Sequence, residues 1–312
     1  MSPTTSRPFQ QVDVFTDTPY LGNPLAVVLD GTGLSTEQMQ QFARWTHLSE
    51  TTFVLPPTAE GAAAGADYRV RIFTPGGELP FAGHPTLGSC HAWLRHGGQP
   101  REAAVVRQEC AVGVVTLKQV DGRMAFGAPP LQRSAPSPTL LSQVAAALGL
   151  KAPQILAAQI LNNGPVWLGV LLDSPDTVRA LRPDHGQLKA LNQKVGVAAL
   201  TEAQGGVALI GRANREAKAF GASASRPTEA EPALLVRGFA APIGVEEDPV
   251  TGSLNASLAQ WLLGDGRLAA PYVAAQGEAL GRDGRAYLSQ DAQGQVWVGG
   301  DAVTCVQGQV LL

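Results

Sequence analysis

Two carboxylic acids and one histidine stand where acid/base chemistry could be done. Glu50 lies in Leu48-Ser49-Glu50-Thr51-Thr52-Phe53-Val54, a lone carboxylate at the mouth of an apolar strand pattern. Desolvation there would raise its pKa toward the range useful for proton transfer. His84-Pro85 and Asp248-Pro249 each precede a helical pattern. Proline is tolerated in a first helical turn, because the N–H that it lacks has no partner there. That puts His84 and Asp248 at N-cap positions. Taken singly, each has an ordinary reading: Glu50 as a solvated strand end, Asp248 as a common helix cap, His84 as a tolerated one.

A repeat sets them apart. Arg71-x-Phe73 with His84-Pro85-x-x-Gly88-Ser89-x-x-Ala92-x-Leu94 recurs as Arg237-x-Phe239 with Asp248-Pro249-x-x-Gly252-Ser253-x-x-Ala256-x-Leu258, at a constant offset of 164 residues from His84 onward. Solenoid units run to about 20–50 residues, so a period this long is a duplicated domain. Gly88-Ser89 and Gly252-Ser253 put small residues at both helix starts, leaving bare N–H groups and positive dipole ends for an anion. Related by pseudo-symmetry, both starts face one cleft, a site for a small carboxylate. The position in the second half related to Glu50 reads Leu200-Thr201-Glu202, with polar and Gly residues after it. Glu50, with apolar walls, is the better proton carrier.

Other chemistries lack their signatures. The chain has no G-x-x-x-x-G-K-S/T, no G-x-G-x-x-G behind a strand, no H-E-x-x-H and no C-x-x-C, so no cofactor or metal is expected. His84, His91 and His96 are spaced seven and five apart, which is not a compact ligand pair on one helix face. Cys90, between Ser89 and His91 on an apolar helix, reads as packing rather than as a nucleophile.

The elements that must position these groups follow from periodicity. Residues 10–15, 25–29, 52–55 and 68–73 are short, rich in Val, Phe and Ile, and bounded by Gly, Pro or Asp, which predicts strands. Residues 35–46 open on a capping Ser and place Met39, Phe42, Ala43 and Thr46 at helical intervals. Two further helices, 85–96 and 249–263, are apolar nearly all round and must be buried. Strands follow at 104–127 and 166–172, and the turn Asn163-Gly164-Pro165 before the latter echoes Gly22-Asn23-Pro24. Pro129, Pro130, Pro136 and Pro138 mark a linker. The polar, Ala-rich residues 211–232 read as an exposed hairpin or loop. Each half is thus a curved, many-stranded sheet around one central helix.

Composition bounds the rest. The 312 residues carry 23 basic and 26 acidic side chains with no Lys/Arg cluster, which argues against nucleic acid as a partner. The apolar runs fall far short of the ~20 residues of a membrane span, so no membrane partner is expected. A polar N-terminus without a signal-peptide pattern, and an odd three cysteines, point to the cytoplasm. Only 16% of residues are charged while Gly and Pro number 35 and 23, which excludes a coiled coil and implies many turns.

The motifs together resemble the PhzF-like isomerases. The match runs through Val12-Asp13-Val14-Phe15, Gly22-Asn23-Pro24, Leu48-Ser49-Glu50-Thr51, Glu78-Leu79-Pro80-Phe81-Ala82-Gly83-His84-Pro85-Thr86 and Glu247-Asp248-Pro249-Val250-Thr251-Gly252-Ser253. It continues in Gln276-Gly277, Gly281-Arg282 and Gly299-Gly300. The resemblance implies an α+β, diaminopimelate epimerase-like fold: two pseudo-symmetric lobes, each a mostly antiparallel, barrel-like sheet around a central helix. Residues 1–130, completed by 302–312, would form the N-terminal lobe and residues 134–300 the C-terminal lobe. It further implies cofactor-free proton relocation on a dihydro-hydroxyanthranilate-like cyclic carboxylate. Glu50 would carry the proton, with His84 and Asp248 assisting and Ser49, Gly83, Gly252 and Ser253 around the substrate's polar groups; Asn23 is assigned from its loop. Racemases of the wider superfamily use a Cys at each helix start. The matching positions are Ala82 and Pro249, so a two-thiol racemase is disfavoured. The alternatives are an epimerase using Glu50 with Asp248, and a non-catalytic small-anion-binding protein. A small anionic substrate is the expected partner, and relatives suggest a homodimer.

Overall fold

The computed structural model describes residues 5–201 and 231–312. Most of the expected hairpin at 211–232, and Glu202, lie outside them. The first half runs β1 (Ser6–Val14), β2 (Asn23–Val28), α1 (Thr36–Thr46), β3 (Glu50–Leu55), α2 (Ala59–Ala63), β4 (Tyr68–Thr74), β5 (Gly77–Leu79), α3 (Gly83–Arg95), β6 (Val105–Cys110), β7 (Gly113–Val120) and β8 (Arg123–Gly127). The second runs β9 (Gln132–Ser134), α4 (Pro138–Leu148), β10 (Ile155–Asn162), β11 (Val166–Leu172), α5 (Pro175–Ala180), α6 (His185–Ala190), β12 (Lys194–Leu200), β13 (Leu234–Ala240), β14 (Val245–Asp248), α7 (Gly252–Gly264), β15 (Tyr272–Gln276), β16 (Gly284–Gln290), β17 (Val296–Gly299) and β18 (Ala302–Leu311).

Strand pairing displays the duplication. β1–β2 is antiparallel, β2–β3 parallel, β3–β4 and β4–β5 antiparallel, β4–β6 parallel, and β6–β7 and β7–β8 antiparallel. β10–β11, β11–β12, β12–β13, β13–β14, β13–β15, β15–β16 and β16–β17 repeat that sequence of orientations step for step. The halves also exchange edges. β8 pairs with β17, β18 returns to β1, and β9, within the proline-rich stretch expected to be a linker, pairs with β10. The linker is therefore partly built into the sheet.

Each sheet wraps its central helix because that helix has no polar face to offer water. Leu87, Cys90 and Ala92 of α3, and Leu254, Leu258, Trp261 and Leu262 of α7, are buried in one continuous core with Val12, Leu25, Phe126 and Val298. The outer faces are covered separately. Met39, Phe42 and Ala43 of α1 pack on Val28, Phe53 and Phe73, while Val144, Val178 and Leu188 of α4–α6 pack on Val170, Val197 and Phe239. The Ser35 cap of α1 is half of a capping box closed by Gln38. The Arg-x-Phe repeat is also architectural. Arg71 lies 5.1 Å from the Phe73 ring centre and is bidentate to Glu78, and Arg237 lies 5.2 Å from Phe239 and is bidentate to Glu247. Among the described residues no helix is long and apolar enough to cross a membrane.

The helix starts correct the sequence reading. α3 begins at Gly83 after an extended Ala82, so His84 and Pro85 are its second and third residues rather than cap and first. The first helical N–H groups all lack intrahelical partners, so proline costs as little at the third position as at the first. Asp248 is not on a helix; it ends β14. The Gln276 side chain accepts from Thr251 N–H (3.0 Å) and donates to the Asp248 carbonyl (3.0 Å), clamping the bend at Pro249 and Val250 so that the helix begins only after an extended Thr251. The helices therefore correspond from Gly83 to Gly252. Gly88-Ser89 falls in the second turn of α3, where its N–H groups are spent within the helix and Ser89 Oγ donates to Thr52 Oγ1 (2.9 Å).

Candidate active site

The N-termini of α3 and α7 abut. A Cβ on Gly252 would stand 3.1 Å from the His84 nitrogen and 3.3 Å from Gly83 Cα, so a side chain there would have to push the two backbones apart by a few tenths of an ångström. Gly83 is pinned likewise, since a Cβ there would lie 2.3 Å from the Phe126 ring. Neither helix has a side-chain cap on its first N–H groups. Those donors and both dipole ends open on one junction.

Around it lie the three titratable residues. Glu50 begins β3, with its side chain 17% exposed, and its Oε2 accepts from Nδ1 of the buried His84 at 3.1 Å. His84 Nε2 is buried and has no partner among the described residues. Asp248 Oδ1 accepts from Asn23 Nδ2 (2.8 Å), and Oδ2 accepts from Thr251 Oγ1 (2.7 Å). Burial first, and then the nearby Glu50 charge, push the Asp248 carboxyl up to about 6; His84 and the two hydrogen bonds pull the other way.

Glu50 and Asp248 line a cavity of about 820 Å³ together with Ser49, Phe81, Thr251 and Ser253. Ser49 sits beside Glu50, and Ser253 is the second residue of α7, with Oγ accepting from Trp167 Nε1 (3.2 Å) and the carbonyl accepting from Asn163 Nδ2 (3.2 Å). Asn23, Gly83, His84 and Gly252 stand behind that wall. Asn23 is fully buried and clasps the second half to the first, donating to both Asp248 and the Val250 carbonyl (2.8 Å). Cys90 is sealed in the core with its thiol pushed up to about 12 by burial, as packing requires.

Two assignments change. The helix correspondence pairs Ala82 with Thr251 rather than Pro249; both line the cavity, and neither is a thiol. The second-half counterpart of Glu50 is not Glu202. Strand register gives Thr51 opposite Phe73 and Val195 opposite Phe239, so Glu50 matches Lys194, the first residue of β12. Lys194 also lines the cavity, as do Asn163 and Trp167. Sequence reasoning named none of the three as site residues; for Lys194 the signal was the Arg-x-Phe repeat, usable only once each Phe is paired with its neighbour strand, and for Asn163 it was the turn that echoes Gly22-Asn23-Pro24. Gln276 was quoted only as a motif residue. Its role depends on contacts with Thr251, Asn255 and Asp248 that no spacing reveals.

The Phenazine biosynthesis-like protein family (PhzC-PhzF) matches residues 12–308. The chain is 34% identical over 322 residues to Antisense-enhancing sequence 1 of Schizosaccharomyces pombe, covering 98% of this chain and 99% of that one. It is 33% identical over 314 residues to the trans-2,3-dihydro-3-hydroxyanthranilate isomerase of Pseudomonas aeruginosa, covering 96% and 98%. Among solved structures, a Bacillus anthracis phenazine biosynthesis protein of the PhzF family has a TM-score of 0.78 at 22% identity, covering 99% of this chain and 100% of that one.

Proposed function

The chain belongs to the phenazine biosynthesis-like (PhzC-PhzF) family, has the diaminopimelate epimerase-like fold and is an isomerase, and from that premise we propose that it moves a proton and a double bond within a small cyclic carboxylate. One observation carries the reading: Glu50, His84 and Asp248 meet where two uncapped helix N-termini converge. The substrate's carboxylate lies against Ala82, Thr251 and Ser253 at the two helix starts, drawn there by N–H groups of the first turns that have no partner in their helices. Glu50 then removes a proton from a ring carbon. The C–H electron pair becomes part of a shifted double bond, and the protonated Glu50 carboxyl returns the proton to another carbon, so atoms and charge balance without a co-reactant.

His84 holds the Glu50 carboxyl in one orientation throughout. Asp248, protonated for part of the time near neutral pH, answers a hydroxyl or amino group of the ring from the opposite half. Asn23 and Thr251 act through Asp248 by fixing its two oxygens.

Glu50→Gln keeps the shape and removes the transferable proton. Turnover of trans-2,3-dihydro-3-hydroxyanthranilate in deuterated water should fall by ~100-fold or more. Near wild-type turnover of that compound by the variant would overturn the assignment. An epimerase is the second reading, favoured by the placement of Glu50 and Asp248 on opposite halves. It would exchange deuterium into a stereocentre without moving a double bond, and a binding protein would exchange none.

A further inference from the structure

Lys194 occupies in the second half the place that Glu50 occupies in the first. Glu50 begins the strand that runs parallel to β2 and Lys194 the strand that runs parallel to its counterpart β11, Glu50 opposite Leu25 and Lys194 opposite Trp167. Side-chain alternation turns both the same way. Glu50 shares its face with Thr52, which bonds to Ser89 on α3, and Lys194 shares its face with Gly196, where a Cβ would meet Leu254 of α7 at 2.2 Å. Two-fold geometry thus gives the cavity a carboxylate on one wall and an ammonium on the other.

The ammonium is not used by the fold. Lys194 Nζ has no ion pair or hydrogen bond among the described residues and faces the Trp167 ring, 5.2 Å to the centre. A partly buried cation without a counter-charge carries a desolvation cost, and burial lowers the Lys194 pKa accordingly. Beside it Trp167 Nε1 donates to Ser253 Oγ and Asn163 Nδ2 gives one hydrogen to the Ser253 carbonyl, which leaves Lys194 as the charged donor of this wall among the described residues. The cavity also exceeds the needs of one small ring. About 820 Å³ lies within the ~300–1,000 Å³ that accommodates drug-sized ligands, and Phe81, Phe126 and Val115 supply apolar walls.

We propose that Lys194 is a specificity-determining residue that binds a second acidic group, making the natural substrate a cyclic compound with two carboxylates rather than one. This rests on the reading of the cleft as a carboxylate site. The first carboxylate sits at the helix N-termini beside Glu50, and the second lies on the β12 side, where its charge neutralises the partly buried ammonium.

Benzoate and isophthalate, ring compounds with one and two carboxylates, serve as probes in calorimetric titration of the wild type and of Lys194→Met and Lys194→Arg. Wild type should bind isophthalate at least ~10-fold more tightly than benzoate. Lys194→Met should abolish that preference while leaving benzoate affinity unchanged, and Lys194→Arg should keep most of it. Equal affinity of the wild type for the two probes, binding of neither, or a preference that survives Lys194→Met overturns the proposal. So does equal weakening of both probes in Lys194→Met, which marks a lysine that serves the carboxylate common to both or only the fold. Turnover is not measured, so failure here leaves the Glu50 assignment standing, and a Glu50→Gln variant that still isomerises leaves these titrations interpretable.

Discussion

A carboxyl enclosed beside another carboxyl resists ionisation, and Asp248 is held in that state by burial and by Glu50. The consequence for stability has a definite sign. With a folded value of about 6 against 3.8 unfolded, the native state binds the extra proton between those values, so Asp248 lowers stability as pH rises from about 4 to about 6. Asn cannot ionise, and its amide still accepts from Asn23 and faces Thr251. Asp248→Asn should therefore gain about 1–3 kcal/mol relative to wild type on going from pH 4 to pH 7.5 in urea unfolding, while losing activity. A stability difference that is constant across that range would show that Asp248 is not a disfavoured charge. Glu50 was legible as a lone carboxylate beside an apolar run, and His84 and Asp248 because each precedes a proline at matching points of the repeat. Lys194 was not legible, because a lysine before a strand has the same appearance whether it faces solvent or a cavity.

At the level of elements, the central helices were recognisable from their apolar composition, but their first residues were not. Gly88 illustrates the difference. Read as a helix start it offers an N–H to a ligand, yet it lies inside α3, where a Cβ would come within 2.6 Å of Leu25 and 2.8 Å of Val14. Gly88→Ala gains roughly 1 kcal/mol of helix propensity and loses about 1–3 kcal/mol to overpacking. Net destabilisation of up to ~2 kcal/mol is expected in thermal or denaturant unfolding, with kcat/KM of the folded protein within about twofold of wild type. A large loss of substrate affinity at unchanged stability would restore Gly88 to the site.

Across the whole molecule, the exchange of edges couples the two halves. β18 pairs along the full length of β1, and Thr304 Oγ1 contacts both His91 of α3 and Gln10 of β1. Without β18 one edge of β1 loses its backbone partners and the α3 side of the core is opened. A chain ending at residue 300 should lack a cooperative unfolding transition by circular dichroism and calorimetry, and adding residues 302–312 as a peptide should restore part of the signal. A truncated chain with wild-type cooperativity would show that the first half closes without the returning strand.

Local patterning determined most of the element types, the buried character of α3 and α7, the duplication and three of the groups at the cleft, because each is written in residue type and near-neighbour spacing. Tertiary structure alone decided which residues correspond. The 164-residue offset aligns Gly88 with Gly252, whereas backbone geometry aligns Gly83 with Gly252, Ala82 with Thr251 and Glu50 with Lys194. The physical reason is that a helix starts where its flanking residues cease to be held by contacts from elsewhere in the chain. In the second half that is decided by Gln276, 25 residues beyond the Thr251 N–H that it accepts from.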